Sequence, residues 1–395
     1  MLSHNVRKRM TQGSFTRKMF EHGNALKKKV VEESIFDLSL GNPIFEPPPQ
    51  FAKELKNLLD SGQSGIHRYM DNAGYSETRA AVATQISKET GIKFKENDVV
   101  MTCGAAGGLN IILKSILNPG DEVIIFSPFF SEYDNYVNNH GGIVKLVPTD
   151  DDFKPRLDIL DSSITSRTKA LLINSPNNPT GIVYDEDTIV NITNLLKHKE
   201  IQLSTNIFLI NDEAYKKLLY DGLKYVNIFK HYPRSIAVSS HSKDLSLPGE
   251  RIGYVAVNPE CDSHDELISA LIFCNRILGF VNAPALMQHL IKKLQTAIVS
   301  IAEYQKNRDY LYENMIKLGY EIVKPQGAFY MFPKSPIADD ISFVNELSKL
   351  NVLVVPGTGF GKPGYFRIAY CVDERTLKGA LKGFKMAAYK YKLID

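Results

Sequence analysis

From residue 50 to about residue 280 the chain alternates two rhythms. Short apolar runs occur at Val123–Phe126, Ile143–Val147, Ala170–Asn174, Ile207–Asn211, Ile236–Ser239 and Ile252–Val257. Each is too short for a helix, rich in β-branched residues and apolar on both faces, so each predicts a strand of a mainly parallel sheet covered by helices. Between them, Ala106–Leu117 and Glu186–Lys197 repeat apolar residues every three to four positions and predict helices. The fold class expected is therefore α/β.

The last hundred residues change rhythm. A charged amphipathic helix is expected over about Ile301–Leu318, then short strands at Glu321–Val323, Ala328–Phe332, Val352–Val355 and Tyr365–Tyr370, then a helix over Glu374–Tyr389. That is an α+β unit of its own. The organisation expected is an N-terminal arm with part of the small domain (1–46), a large domain (47–288) and a C-terminal small domain (289–395). Pro47–Pro49 marks the first junction.

A chain of 395 residues is long enough for about two domains. A net charge of +3, with basic residues spread along the chain, asks for neither nucleic acid nor an anionic membrane as partner. No apolar run approaches the roughly 20 residues of a membrane helix. Cys103, Cys261, Cys274 and Cys371 have no CxxC spacing and read as free thiols of a reducing compartment, the cytoplasm. Met1–Phe20 carries five basic residues and no acid, without an apolar signal core, and reads as an N-terminal arm.

Four segments carry candidate chemistry: Asn174-Ser-Pro-Asn-Asn-Pro-Thr-Gly181, Asn211-Asp-Glu-Ala-Tyr215, Ser239 to Tyr254, and Tyr365-Phe-Arg-Ile-Ala-Tyr370. Each overlaps or follows a predicted strand, and ligands of open α/β sheets gather at the carboxyl ends of strands. Taken singly, each has an ordinary account. Lys243 could be a surface lysine, Asp212 and Asn178 turn residues, and Arg367 a cross-strand ion-pair partner. The setting of Lys243 is less ordinary. Ser240, Ser242 and Arg251 supply hydroxyl and guanidinium donors, as an imine-forming lysine needs if its partner carries a phosphate. Asp212 ends an apolar strand and so needs a positive or hydrogen-donating partner.

Other apparent signals weaken. Gly357-Thr-Gly-Phe-Gly361 is read as a turn, because Lys-Pro-Gly-Tyr after it breaks a helix rather than opening one. Cys261, Asp262 and His264 suggest a metal cluster, but Ser263 and Glu266 read as a capping box opening a helix toward Ile277, so no metal is expected. Asp150–Asp152 is read as a solvated loop.

Together the four segments resemble the class I/II aminotransferases of pyridoxal-phosphate fold type I, from about Leu38 to the C-terminus. Ser-x-Ser-Lys followed by Pro-Gly-x-Arg-x-Gly-Tyr carries the likeness furthest, supported by Asn-Asn-Pro-Thr-Gly upstream. The resemblance implies a large domain with a mainly parallel sheet between helices plus a smaller α+β domain. It implies pyridoxal 5'-phosphate attached to Lys243, Asp212 at the ring nitrogen, and Tyr215 and Asn178 at the phenolic oxygen. The phosphate would be held by Ser240, Ser242, Arg251 and the backbone of Gly104, Ala105 and Ala106, with Tyr69 reaching across a subunit boundary. Phe130 would stack on the ring, and Arg367 with Gly41 would hold the substrate α-carboxylate, alongside Asn178. Ala105-Ala106 stands where many relatives place a hydroxyl, and Phe130 where many place Trp or Tyr.

The same resemblance implies a transaminase, moving an amino group from an α-amino acid to a 2-oxo acid in a ping-pong cycle, as a homodimer with shared active sites. Aspartate or aromatic substrates with 2-oxoglutarate are expected, with Arg276 or Arg68 as candidates for a second carboxylate. The alternative on the same scaffold is a β-elimination or C–S lyase. A transcription regulator built on this fold would need a DNA-binding module ahead of residue 38, for which there is no room.

Overall fold

The computed structural model of the chain describes residues 34–395 and, ahead of them, Leu2, Ser3, Val6, Arg7, Arg9 and Met10. Most of the expected N-terminal arm lies outside the described residues. Strand β1 (Phe36–Asp37) leads to helices α1 (Pro49–Asp60) and α2 (Ser76–Thr90). The Pro47–Pro49 run ends in a helix start: Pro49 is the first helical residue of α1, where a missing N–H leaves no bond unmade. Next come β2 (Val99–Thr102), α3 (Gly104–Ile116), β3 (Glu122–Ser127), α4 (Glu132–Asn139), β4 (Ile143–Pro148), α5 (Leu157–Ser163), β5 (Thr168–Asn174) and α6 (Glu186–Leu203). They are followed by β6 (Phe208–Asp212), β7 (Ser235–Ser240), the single turn α7 (His241–Asp244), β8 (Gly253–Val257), α8 (His264–Ile277) and α9 (Ala285–Ile291).

Strands β2 to β8 form one seven-stranded sheet in the order β2-β8-β7-β6-β5-β3-β4. β4, β3, β5, β6 and β7 pair in parallel, and β8 alone runs against its neighbours β7 and β2. Side chains alternate across the strands, so Ile124, Phe126, Leu171, Ile173 and Leu209 enter one buried cluster while Val123, Ile125, Leu172 and Ile210 enter another. Both faces are covered, as apolar strands require. Three expectations need correction. β2 was not anticipated as a strand. The Ile252–Val257 run is a strand, but antiparallel. β4 forms the sheet's edge, and Ile143 and Leu146 are 45% and 48% exposed.

The remaining elements are α10 (Ile301–Lys317), β9 (Tyr330–Met331), α11 (Asp340–Lys349), β10 (Val352–Leu353), β11 (Val355–Pro356), β12 (Phe366–Ala369) and α12 (Glu374–Lys390). β11, β12 and β9 make an antiparallel three-stranded sheet, and β10 pairs in parallel with β1. The expected strand Glu321–Val323 is irregular backbone. Ala328–Phe332 shortens to two residues because Ala328 adopts φ +58°, outside the extended region. The helix expected after Ser263 forms, but the Ser263 side chain makes no capping bond. Its ψ of 29° lies outside the β region that aims a capping hydroxyl at the next turn. Gly357–Phe360 makes a single 3₁₀ turn. Asp150 Oδ1 accepts from the N–H groups of Asp152 and Lys154, closing the loop there. No helix among the described residues is long and apolar enough to cross a membrane.

Candidate active site

The sheet's directions bring the candidate residues to one edge. β2, β3, β5, β6 and β7 all point their carboxyl ends the same way, and antiparallel β8 begins at that edge, with Gly253 opposite both Ser240 and Thr102. The edge therefore collects the start of α3 after β2, Phe130 after β3, Asn178 after β5, Asp212 at the end of β6, Lys243 in α7 after β7, and Arg251 before β8. Arg367 arrives from β12. A cavity of about 340 Å³ opens there, lined by Gly41, Ala105, Ala106, Phe130, Asn178, Asp212, Tyr215, Ser240, Ser242, Lys243, Arg251 and Arg367.

Lys243 Nζ donates to the Gly41 carbonyl at 2.8 Å and lies over the Phe329 ring at 5.2 Å. It has no carboxylate in ion-pair reach among the described residues. Burial, with the charges of Arg367 and Arg251 acting in the same sense, brings its amine down to about 8. Asp212 is 7% exposed and receives one side-chain hydrogen bond, from the Tyr133 hydroxyl at 2.8 Å. Burial raises its carboxyl to about 6 even though the Tyr133 and Ala214 donors pull it down. Its backbone is pinned by Asn174 Nδ2, which donates to the Asp212 carbonyl, while Asn174 Oδ1 accepts the Asn178 N–H.

Arg367 is 2% exposed, with no carboxylate partner among the described residues. Nη2 donates to the Ser39 carbonyl at 2.6 Å and Nη1 to Asn178 Oδ1 at 3.0 Å, while Nε has no partner. Tyr330 and Phe360 face its guanidinium at 4.6 and 4.7 Å. The described residues thus offer no cross-strand ion pair, which would have been its ordinary use. Arg251 sits at φ +51°, a strained conformation for a side chain with a Cβ, and its one protein hydrogen bond among the described residues runs to the Pro248 carbonyl. Gly104 has φ +70°, and a Cβ there would come within 2.9 Å of Arg251 Nη2.

These features fit a phosphorylated cofactor. The cavity lining carries Lys243, Arg251 and Arg367 against Asp212 alone, two positive charges in excess. The first N–H groups of α3 have no partner within the helix, and a helix N-terminus favours an anion. The hydroxyls of Ser240 and Ser242 and the amide nitrogen of Asn178 make no protein hydrogen bond among the described residues, so all three can donate to a ligand.

Not every expected residue joins the cavity. Tyr69 is 87% exposed and lines nothing in its own chain. Arg276 stacks on Phe273 at 5.4 Å on the outer face of α8, and Arg68 is exposed beside Gly65. Conversely, Tyr133, Tyr136 and Tyr330 line the cavity and were not anticipated. Tyr133 could have been found three positions after Phe130, across the turn that leads into α4, where its N–H donates to the Phe130 carbonyl and the two rings meet edge to face at 5.4 Å. Tyr330 could have been found by pairing the predicted strand Ala328–Phe332 with Tyr365–Tyr370.

The sequence profile described as aminotransferase class I and II matches residues 33–384. A probable aspartate aminotransferase of Methanocaldococcus jannaschii is 31% identical over 87% of this chain and 91% of its own. A probable aspartate/prephenate aminotransferase of Thermus aquaticus is 32% identical over 92% and 93%. The crystal structure of an amino transferase from Eubacterium rectale superposes with a TM-score of 0.95 at 38% identity, covering 99% of both chains. With the profile spanning most of the chain and a fold shared end to end, this chain belongs to the class I and II aminotransferases and is a transaminase.

Proposed function

We propose that the chain is a pyridoxal-phosphate-dependent aminotransferase in which Lys243 attaches the cofactor and moves the substrate proton. The observation that carries this reading is the company of Lys243: a half-buried lysine without a carboxylate partner among the described residues, sharing one cavity with Asp212 and with a buried Arg367 that lacks a counter-ion there.

Ser240, Ser242, Arg251 and the first N–H groups of α3 would hold the phosphate. Asp212 would accept from the ring nitrogen, Tyr215 and Asn178 would donate to the phenolic oxygen, and Phe130 would cover the ring. When bound, the cofactor supplies an electron sink for the bond broken at the substrate Cα. The chain's residues do the rest. Lys243, at about 8, is neutral in a usable fraction near neutrality, so its Nζ can take a proton from Cα and return it elsewhere. Asp212 keeps a proton at the ring nitrogen. The Arg367 fork orients the α-carboxylate through two parallel hydrogen bonds, and its unpartnered Nε adds a donor.

Aspartate or aromatic amino acids with 2-oxoglutarate are the substrates proposed, and the names of the two relatives above support aspartate. Arg68 and Arg276 face outward, so either would serve a second carboxylate in a neighbouring subunit's cavity. Tyr69, with its ring in solvent, suits the same arrangement, a two-fold homodimer in the cytoplasm. Residues 47–288 would form the large domain and 289–395, with part of 1–46, the small one.

A substrate panel tests the reading. Turnover of aspartate, tyrosine or phenylalanine that depends on 2-oxoglutarate supports it. Pyruvate and ammonia released without a 2-oxo acid would mark a lyase instead.

A further inference from the structure

Tyr330 lines the cavity, and no role has been given to it. It stands on β9 with Ala369 of β12 as its pair, two positions from Arg367 on the same strand. It is 3% exposed. Its hydroxyl lies 2.9 Å from the Tyr215 hydroxyl, and the two rings meet edge to face at 5.7 Å. The face of its ring lies 4.6 Å from the Arg367 guanidinium. Its hydroxyl also fills the space beside Gly41, where a Cβ would overlap it. Gly41 in turn accepts the hydrogen bond from Lys243. One side chain thus touches Tyr215 and Arg367 directly and Lys243 through Gly41.

The two hydroxyls share one hydrogen bond, so one donates and the other accepts. If Tyr215 donates to Tyr330, its only proton is used and cannot serve a ligand. If Tyr330 donates to Tyr215, the Tyr215 proton is free to turn into the cavity. An acceptor oxygen in the cavity decides between the two. The second arrangement then makes two hydrogen bonds where the first makes one, and hydrogen bonds in a chain strengthen each other. Tyr330 has no other hydrogen-bond partner among the described residues, so nothing there competes for its proton.

We propose that Tyr330 is a positioning residue: its hydroxyl donates to Tyr215 and turns the Tyr215 proton toward the cofactor's phenolic oxygen, while its ring holds Arg367 for the substrate carboxylate. This rests on the roles proposed above for Tyr215 and Arg367. The two halves separate by substitution. Phenylalanine at 330 keeps the ring and removes the proton, whereas leucine removes both.

The test compares holoenzymes carrying Tyr215→Phe, Tyr330→Phe, both together, and Tyr330→Leu, each at full cofactor occupancy. The first readout is the pH midpoint of visible absorbance of the Lys243-bound cofactor. A donor at the phenolic oxygen favours the deprotonated form, so its loss raises the midpoint. Tyr215→Phe is expected to raise it by about one pH unit and Tyr330→Phe by about half a unit. The double variant should match Tyr215→Phe alone, because Tyr330 acts only through Tyr215. The second readout is KM for the amino acid, expected within about twofold for Tyr330→Phe and raised about tenfold for Tyr330→Leu. If leucine does not fold, Tyr330→Met takes its place.

A midpoint unmoved by Tyr330→Phe but moved by Tyr215→Phe overturns the hydroxyl link, as do additive shifts in the double variant. An unchanged KM without the aromatic ring overturns the Arg367 half. A midpoint unmoved by Tyr215→Phe removes the reading beneath the proposal, and the proposal with it.

Discussion

The Tyr133 hydroxyl donates to Asp212 Oδ2 at 2.8 Å, and among the described residues it is the one side-chain donor that this buried carboxylate has. The bond holds one oxygen and lowers a carboxyl that burial raises. Removing it as Tyr133→Phe should push Asp212 above its value of about 6, so that more of it is protonated near neutrality. A protonated ring nitrogen needs the ionised form. Cofactor affinity of the cofactor-free protein should therefore fall about fivefold at pH 6, the worth of one such bond, and by less at pH 8. Equilibrium titration at both pH values measures this; an equal loss at both would mean that Tyr133 only packs.

Asp212→Asn keeps the shape and removes the charge. It should lower kcat by at least about 100-fold while leaving KM for the amino acid within a few-fold, since Arg367 is untouched. Steady-state kinetics at saturating cofactor separate the two terms.

Arg367→Lys keeps a charge and loses the fork. A lysine cannot serve the Ser39 carbonyl, Asn178 Oδ1 and a carboxylate together. The expected result is a fall of about 100-fold in kcat/KM, carried mainly by KM. A variant within about threefold of the parent would place the carboxylate elsewhere.

The lowered Lys243 amine gives a pH prediction with a definite sign. In the proposed role the neutral amine is the nucleophile, and burial shifts its loss of a proton from 10.5 down to about 8. The rate at which cofactor-free protein captures the cofactor should rise with pH and level off above about 8. A lysine left at its ordinary value would keep gaining up to about pH 10. Stopped-flow reconstitution between about pH 6 and 10 distinguishes the two curves.

The strands that position Asn178, Asp212 and Lys243 were legible because apolar β-branched runs leave little else for the backbone to do. The residues gathered at their ends were legible through motif order. Three things were hidden for physical reasons. β8 runs antiparallel to both β7 and β2, and β2 is a four-residue strand with no length signal. Tyr133 and Tyr330 reach the cavity through contacts with Asp212 and Tyr215 that are 79 and 115 residues away in sequence. The small sheet's strands were overdrawn, because a positive φ at Ala328, next to Gly327, takes the start of that apolar run out of the extended region. Tyr69, Arg68 and Arg276 are exposed and line no part of the cavity, so the structure adds nothing to their motif reading.

The proposed attachment of the cofactor is covalent and concerns one atom, Lys243 Nζ. Borohydride reduction of the holoenzyme, followed by proteolysis and mass spectrometry, should find the reduced pyridoxyl group on the peptide containing Lys243, at one per chain. Lys243→Ala should show none and should transaminate at least about 1000-fold more slowly. Label on another lysine, or a Lys243→Ala protein that turns over at the parent's rate, would contradict the account.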